Sequence, residues 1–208
     1  IVSGQPPRIY AGYSEDKLYY TQIGFGIIPK PNTINIKVLL GLINSKLITF
    51  FHKYSYLDLE KELFQKILIA NCKKFPIKKI IKTSDSEQLE SLVNSAIDIC
   101  VKKKELVQRF SNYISKSLNI ELTRKLESWN EIDFPNFIKE INFVLKQNNS
   151  NKFSKAQEIE WLEIFEFKNK EIIEIDNDFL NTDKEIDLLV YKIYELSEEE
   201  IKIVEESM

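Results

Sequence analysis

No glycine follows Gly41, and the one proline after Pro76 is Pro135. Glycine supplies left-handed turn positions and proline interrupts helices, so the long stretch that lacks both is suited to long helices rather than tight hairpins. Four helix-start signals punctuate it. In Ser84–Asp85–Ser86–Glu87, Ser154–Lys155–Ala156–Gln157, Thr182–Asp183–Lys184–Glu185 and Ser197–Glu198–Glu199–Glu200, a hydroxyl residue precedes Glu or Gln by three positions. In that arrangement the two side chains satisfy each other's otherwise orphaned backbone N–H groups. Apolar residues at 3–4-residue spacing follow each one: Leu89, Val93, Ala96, Cys100, Val107, Phe110 and Ile114 after the first, then Ile159, Leu162 and Phe165, then Ile186, Leu189, Val190 and Ile193, then Ile201 and Val204. The first helix is expected to run to about Leu118, a length of roughly 50 Å. A bundle or long helical hairpin buries such stripes.

The first part of the chain reads differently. Four of the five glycines lie before residue 27. Ile9–Tyr10–Ala11–Gly12–Tyr13, Leu18–Tyr19–Tyr20–Thr21 and Ile23–Gly24–Phe25–Gly26–Ile27–Ile28 are rich in β-favouring residues, and Ser14–Glu15–Asp16–Lys17 suits a turn. A helix is expected from about Asn35 to Tyr54, a second helical piece from near Asp58, and a returning strand over Lys66–Ile67–Leu68–Ile69–Ala70. The expected fold class is therefore α+β: a small mixed α/β domain over residues 1–82, followed by a long-helix bundle or hairpin over 83–208.

Charge divides at the same place. Residues 1–82 carry 13 Lys+Arg and 5 Asp+Glu, a net of +8, whereas 83–208 carry 16 and 27, a net of −11. A basic first part joined to an acidic second part suggests that only the first meets a polyanion. No apolar run approaches the roughly 20 residues of a membrane span, and no signal peptide opens the chain. Cys72 and Cys100 are too few for a disulfide framework or a zinc cluster and read as reduced thiols of a cytoplasmic protein. The opening on Ile1 rather than Met suggests a piece of a longer polypeptide.

Catalytic chemistry is scarcely represented. His52 is the one histidine, so any Ser–His–Asp or Cys–His arrangement depends on it, and its position near a helix end favours a packing or helix-terminus role. There is no Gly-x-x-x-x-Gly-Lys phosphate loop, and Gly24–Phe25–Gly26 lacks the third glycine of a dinucleotide loop. Asp176, Asp178, Asp183 and Asp187 have no calcium-loop spacing. The positive signal is basic and aromatic. Arg8, Lys17, Lys30, Lys37, Lys46 and Lys53 accompany Tyr10, Tyr13, Tyr19, Tyr20, Asn32 and Asn35, and Lys73, Lys74, Lys78 and Lys79 cluster around Pro76. Lys and Arg neutralise phosphates, Arg, Asn and Gln read base edges, and Tyr stacks or bonds phosphate.

The run Ile27–Ile28–Pro29–Lys30, then Val38–Leu39–Leu40–Gly41–Leu42–Ile43–Asn44–Ser45–Lys46–Leu47 and Phe50, resembles the signature of the TaqI-like C-terminal specificity domain. That family belongs to adenine-specific DNA methyltransferases and single-chain restriction–methylation enzymes. Phe64–Gln65–Lys66–Ile67 with Phe75–Pro76–Ile77 matches its next landmark. Lys125–Leu126–Glu127–Ser128–Trp129 with Asp133, Phe134 and Phe137, and the closing run from Asp183 to Ile201, are similar to its downstream helical region.

The resemblance implies sequence-specific recognition of double-stranded DNA by a C-terminal piece that lacks the catalytic domain of a bacterial restriction–modification enzyme. S-adenosylmethionine and the Asn/Asp-Pro-Pro-Tyr/Phe methylation motif would belong to a missing catalytic domain of the same chain, since Pro6–Pro7 here is preceded by Gln5 and followed by Arg8. No cofactor or metal is expected in the piece itself. The expected DNA-contacting residues are Gln5, Arg8, Tyr10, Lys17, Tyr19, Tyr20, Lys30, Asn32, Lys53, Lys73, Lys74, Lys78 and Lys79. Gly4 before Gln5 departs from the Arg-Gln pair common in the family. The alternative is a helical protein-interaction scaffold within such a complex.

Overall fold

The computed structural model of the chain describes residues 9–16, 24–28, 30, 33–57, 67–80 and 83–208. Its helices are α1 (Ile36–Asn44), α2 (Lys46–Tyr56), α3 (Ile69–Cys72), α4 (Thr83–Leu118), α5 (Arg124–Glu127), a 3₁₀ turn (Trp129–Glu131), α6 (Phe134–Gln147), α7 (Lys155–Tyr194) and α8 (Glu198–Glu206). No β-strand occurs among the described residues. The fold is nearly all-α, which corrects the expected α+β class.

The reason lies in how the extended segment at 9–13 satisfies its backbone. The Ile9 N–H donates to Thr49 Oγ1 at 3.2 Å. The Ala11 N–H donates to Asn44 Oδ1 at 2.7 Å, and Asn44 Nδ2 returns a bond to the Ala11 carbonyl at 3.0 Å. Two side chains of the α1–α2 pair thus provide what a neighbouring strand would otherwise provide. Residues 24–28 also carry no ladder, and Ile69 and Ala70 lie in α3 rather than in a strand. The expected strand over Leu18–Thr21 and the expected helical start at Asp58 lie outside the described residues.

The expected helix from Asn35 to Tyr54 is two helices. Ser45 is buried and extended (φ −65°, ψ 152°), ending α1 and capping α2. Its hydroxyl donates to the Leu42 carbonyl at 2.7 Å and accepts from the Ile48 N–H at 3.3 Å. Among the later start signals, Ser197 and Glu200 make the full reciprocal box. At α7 the Ser154 N–H donates to Gln157 Oε1 at 2.9 Å, and the Gln157 N–H donates to Ser154 Oγ at 3.4 Å. Thr182 starts nothing, because α7 runs through it as one helix of 40 residues.

The chain forms two compact units: residues 1–97 with 181–208, and residues 98–180. In the first, one core joins Val38 and Leu42 of α1, Leu89 and Val93 of α4, and Ile186, Leu189, Val190 and Ile193 of α7. Gly41 permits the close approach, since a Cβ there would lie 2.8 Å from Val93 Cγ2 and 2.9 Å from Leu89 Cδ1. A second cluster gathers Ile9, Ile43, Ile48 and Phe75. The second unit is built on aromatic rings: Phe110, Trp129, Phe137, Trp161 and Phe165 share one core with Ile114, Leu126 and Ile141.

Candidate nucleic-acid interface

The basic residues of the first unit separate into two groups once the acids of residues 181–208 are present. By compact unit rather than by sequence half, residues 1–97 with 181–208 hold 16 Lys+Arg and 17 Asp+Glu, and residues 98–180 hold 13 and 15. The excess of +8 before residue 83 is thus offset inside the unit that contains it.

Lys46, Lys53, Lys78 and Lys37 are committed internally. Lys46 donates its backbone N–H to the buried Asp187 Oδ1 at 2.8 Å, and its ammonium pairs with Glu205. Asp187 therefore takes up a backbone N–H in the first turn of α2, where a carboxylate is favoured. Lys53 Nζ donates to the Ser207 carbonyl at 2.6 Å and lies over the Tyr54 ring. Lys78 Nζ is 2.9 Å from Glu195 Oε1. Lys37 Nζ donates to Asn94 Oδ1 at 2.7 Å and lies 5.3 Å from the Tyr13 ring centroid.

Lys30, Lys73, Lys74 and Lys79 are exposed, and their ammonium groups have no acceptor among the described residues. Lys73 and Lys74 form the turn after α3, held by the buried Phe75 beside them. Lys79 follows a braced backbone: the Tyr194 hydroxyl accepts from the Lys78 N–H at 3.0 Å and donates to the Pro76 carbonyl at 2.7 Å. Tyr10 exposes 44% of its surface between Ile9 and Ala11, which are bonded to Thr49 and Asn44. Gln5, Arg8, Lys17, Tyr19, Tyr20 and Asn32 lie outside the described residues.

Sequence reasoning attached no role to Thr49, Tyr194, Glu195 or Glu205. Their contacts with Ile9, Lys78 and Lys46 span 40 to 159 residues of the chain, and no local pattern announces such pairs. Asn44 and Ser45 stood out only as signature residues, and both act on the backbone of the fold.

His52 lies inside α2, not at its end. It is 2% exposed, its ring centroid is 5.9 Å from Phe75 and 6.0 Å from Tyr56, and Nε2 has no hydrogen-bond partner among the described residues. Burial lowers its pKa below the ordinary imidazole value. Above about pH 6.5 both folded and unfolded chains hold it neutral. As pH falls below that, the unfolded chain gains a proton that the folded chain refuses. Stability should then decline by up to about 1.4 kcal/mol per pH unit until the folded-state value is reached. Urea midpoints at pH 7.5 and 5.5 should show this loss, and His52→Phe should shrink it; an equal loss in both proteins would assign it to other groups.

Cys72 and Cys100 are free thiols whose pKa values burial pushes up, with Lys103 partly opposing this at Cys100. A raised pKa leaves little thiolate for nucleophilic attack. Among the described residues no group of three or more His, Cys, Asp or Glu converges as a metal site. No helix among them is long and apolar enough to cross a membrane.

Residues 2–77 match the family model described as TaqI-like C-terminal specificity domain, and residues 82–190 match a second, Domain of unknown function (DUF8810). The first match assigns the opening part of the chain to DNA specificity in methyltransferase-type proteins, a role that is not itself catalytic. No curated protein and no solved structure matches the chain.

Proposed function

We propose, for a chain that belongs to the DUF8810 family and carries a TaqI-like C-terminal specificity domain, that its first compact unit recognises a double-stranded DNA target for a bacterial adenine-specific methyltransferase of a restriction–modification system. The observation that carries this reading is the specificity-domain match over residues 2–77, which present Lys30, Lys73 and Lys74 without partners among the described residues, with Lys79 two positions beyond it. Those four ammonium groups suit phosphate contacts, which set affinity and register, while Tyr10 offers a ring for stacking or a hydroxyl for phosphate. Binding of S-adenosylmethionine and methyl transfer fall to a catalytic domain of the same polypeptide, with target adenine extrusion as the step that recognition prepares.

Four phosphate contacts give a slope of about −3.6 in log affinity against log salt, so raising salt fourfold should weaken duplex binding by roughly 10²-fold. Fluorescence anisotropy with a labelled duplex measures this. The triple variant Lys73→Ala/Lys74→Ala/Lys79→Ala should bind more weakly on every sequence, with a slope shallower by about 2.7. Folded protein that binds no duplex at low salt would sink the reading.

One observation favours the scaffold alternative as a second reading. Ile159, Phe167 and Ile173 of α7 expose 51–62% of their surface in the second unit, an arrangement suited to a protein partner. Reversing Lys30, Lys73 and Lys78 to Glu separates the readings, because a scaffold would keep its partner.

A further inference from the structure

A cleft of about 450 Å³ opens in the first unit between the start of α1, residues 77–80 and the first turn of α4. Ile34, Val38, Ile77 and Ile80 give it an apolar wall. Lys78 and Lys79, with the hydroxyl residues Thr33 and Ser86, give it a cationic and hydrogen-bonding side. Its volume lies in the range of small-ligand sites, and a mixed lining of this kind suits a ligand with one apolar face and one anionic end.

The cations are held for such a ligand. Lys79 has no acceptor among the described residues, and Tyr194 braces the backbone on which both lysines stand by bonding the Lys78 N–H and the Pro76 carbonyl. Lys78 faces Glu195, but the Glu195 side chain is 83% exposed. A solvated ion pair of this sort is weak enough for a competing anion to displace. Thr33 donates its hydroxyl to the Lys30 carbonyl at 2.6 Å, which ties Lys30 to the rim of the cleft.

We propose that this cleft holds a single sugar–phosphate unit, with the phosphate on Lys79 and Lys78 and the sugar ring against Ile34, Val38, Ile77 and Ile80. The identity of that unit as part of a bound DNA strand rests on the DNA-recognition reading. A free sugar phosphate shares the chemistry, and the experiment distinguishes the two.

Amide spectra of the full chain are followed during titration with 2-deoxyribose 5-phosphate, with inorganic phosphate and with a short duplex. The sugar phosphate should shift the amides of Ile34, Val38, Ile77, Lys79 and Ser86 saturably, and inorganic phosphate should do so several-fold more weakly because it cannot use the apolar wall. Lys79→Ala should weaken sugar-phosphate binding by about tenfold, through loss of a charge-assisted contact. Glu195→Gln, which frees Lys78, should strengthen it about threefold. Both substitutions are at exposed side chains, so the fold should persist.

If the duplex moves the same amides, the occupant is a DNA backbone unit. If only the small ligand does, the site takes a free sugar phosphate. If neither moves them, or if Lys79→Ala leaves sugar-phosphate binding unchanged, the proposal is overturned. Duplex binding that persists in that event, read by anisotropy, leaves the DNA-recognition reading standing.

Discussion

A chain shortened to end at Leu180 is expected to lose the folded first unit and its DNA binding, although it keeps every residue of the specificity-domain match. Half of the eight residues buried in the larger of its two core clusters, Ile186, Leu189, Val190 and Ile193, come from the end of α7. At about 1.5–3 kcal/mol for each buried aliphatic side chain, their loss removes roughly 6–12 kcal/mol. That is comparable to the whole stability of a typical domain, about 5–15 kcal/mol. Polar contacts leave with them. The α2 N-terminus loses Asp187, Lys46 loses Glu205, and the 76–78 backbone loses the Tyr194 hydroxyl. Amide spectra should show collapsed dispersion for Ile9–Ala11 and Ile36–Tyr56, and anisotropy should show no salt-sensitive duplex binding. A shortened chain that binds duplex with the affinity of the full chain would refute the idea that residues 181–208 complete the recognition unit. Asp187→Asn is the milder companion: the amide oxygen can still accept from Lys46, so a loss of only about 1–2 kcal/mol is expected.

The same contacts explain what the sequence could and could not disclose. The scarcity of glycine and proline after residue 76, with apolar residues at 3–4-residue spacing, made α4, α7 and α8 legible, and Ser154 and Ser197 marked two true starts. Thr182 carried the same four-residue pattern inside α7. There the helix continues, because a break would orphan backbone groups on both sides, and uninterrupted helix lets α7 supply Trp161, Phe165 and Ile172 to one core and Ile186 to Ile193 to another. Residues 9–13 were readable as extended, but composition cannot say whether an extended backbone is met by a strand or by the side chains of Asn44 and Thr49. The candidate interface was legible only as a pool of cations. Counting charge along the chain made 1–82 look free to meet a polyanion. Folding brings Glu195 to Lys78 and Glu205 to Lys46 across more than a hundred residues, leaving Lys30, Lys73, Lys74 and Lys79 as the exposed remainder among the described residues.

Trp129→Ala should be the most damaging single substitution in the second unit. Trp129 is fully buried in the short 3₁₀ turn, its indole N–H donating to the Val107 carbonyl of α4 at 3.1 Å. Its ring meets Phe110 edge-on at 4.7 Å and Phe165 at 5.9 Å. Phe137 also stacks on Phe110 and lies 4.9 Å from Phe165, so the indole belongs to a closed set of rings. Residues 119–133 contain only the one-turn helix α5 and that 3₁₀ turn, so this stretch depends on tertiary contact and the backbone can do little to close the void. A cost of about 3–5 kcal/mol follows for removing a buried Trp. For a unit of this size, each kcal/mol lowers the melting temperature by roughly 4–8 °C, giving a fall of about 12–40 °C. Because the Val107 carbonyl lies within α4, lost ring contacts outweigh the lost hydrogen bond. Trp129→Phe should therefore recover more than half of the loss despite having no N–H. Calorimetry on the three proteins separates the contributions: if Trp129→Phe melts as low as Trp129→Ala, the hydrogen bond dominates and the aromatic account fails. At a temperature where all three remain folded, duplex affinity should agree within about twofold, since none of the exposed lysines of the first unit is touched.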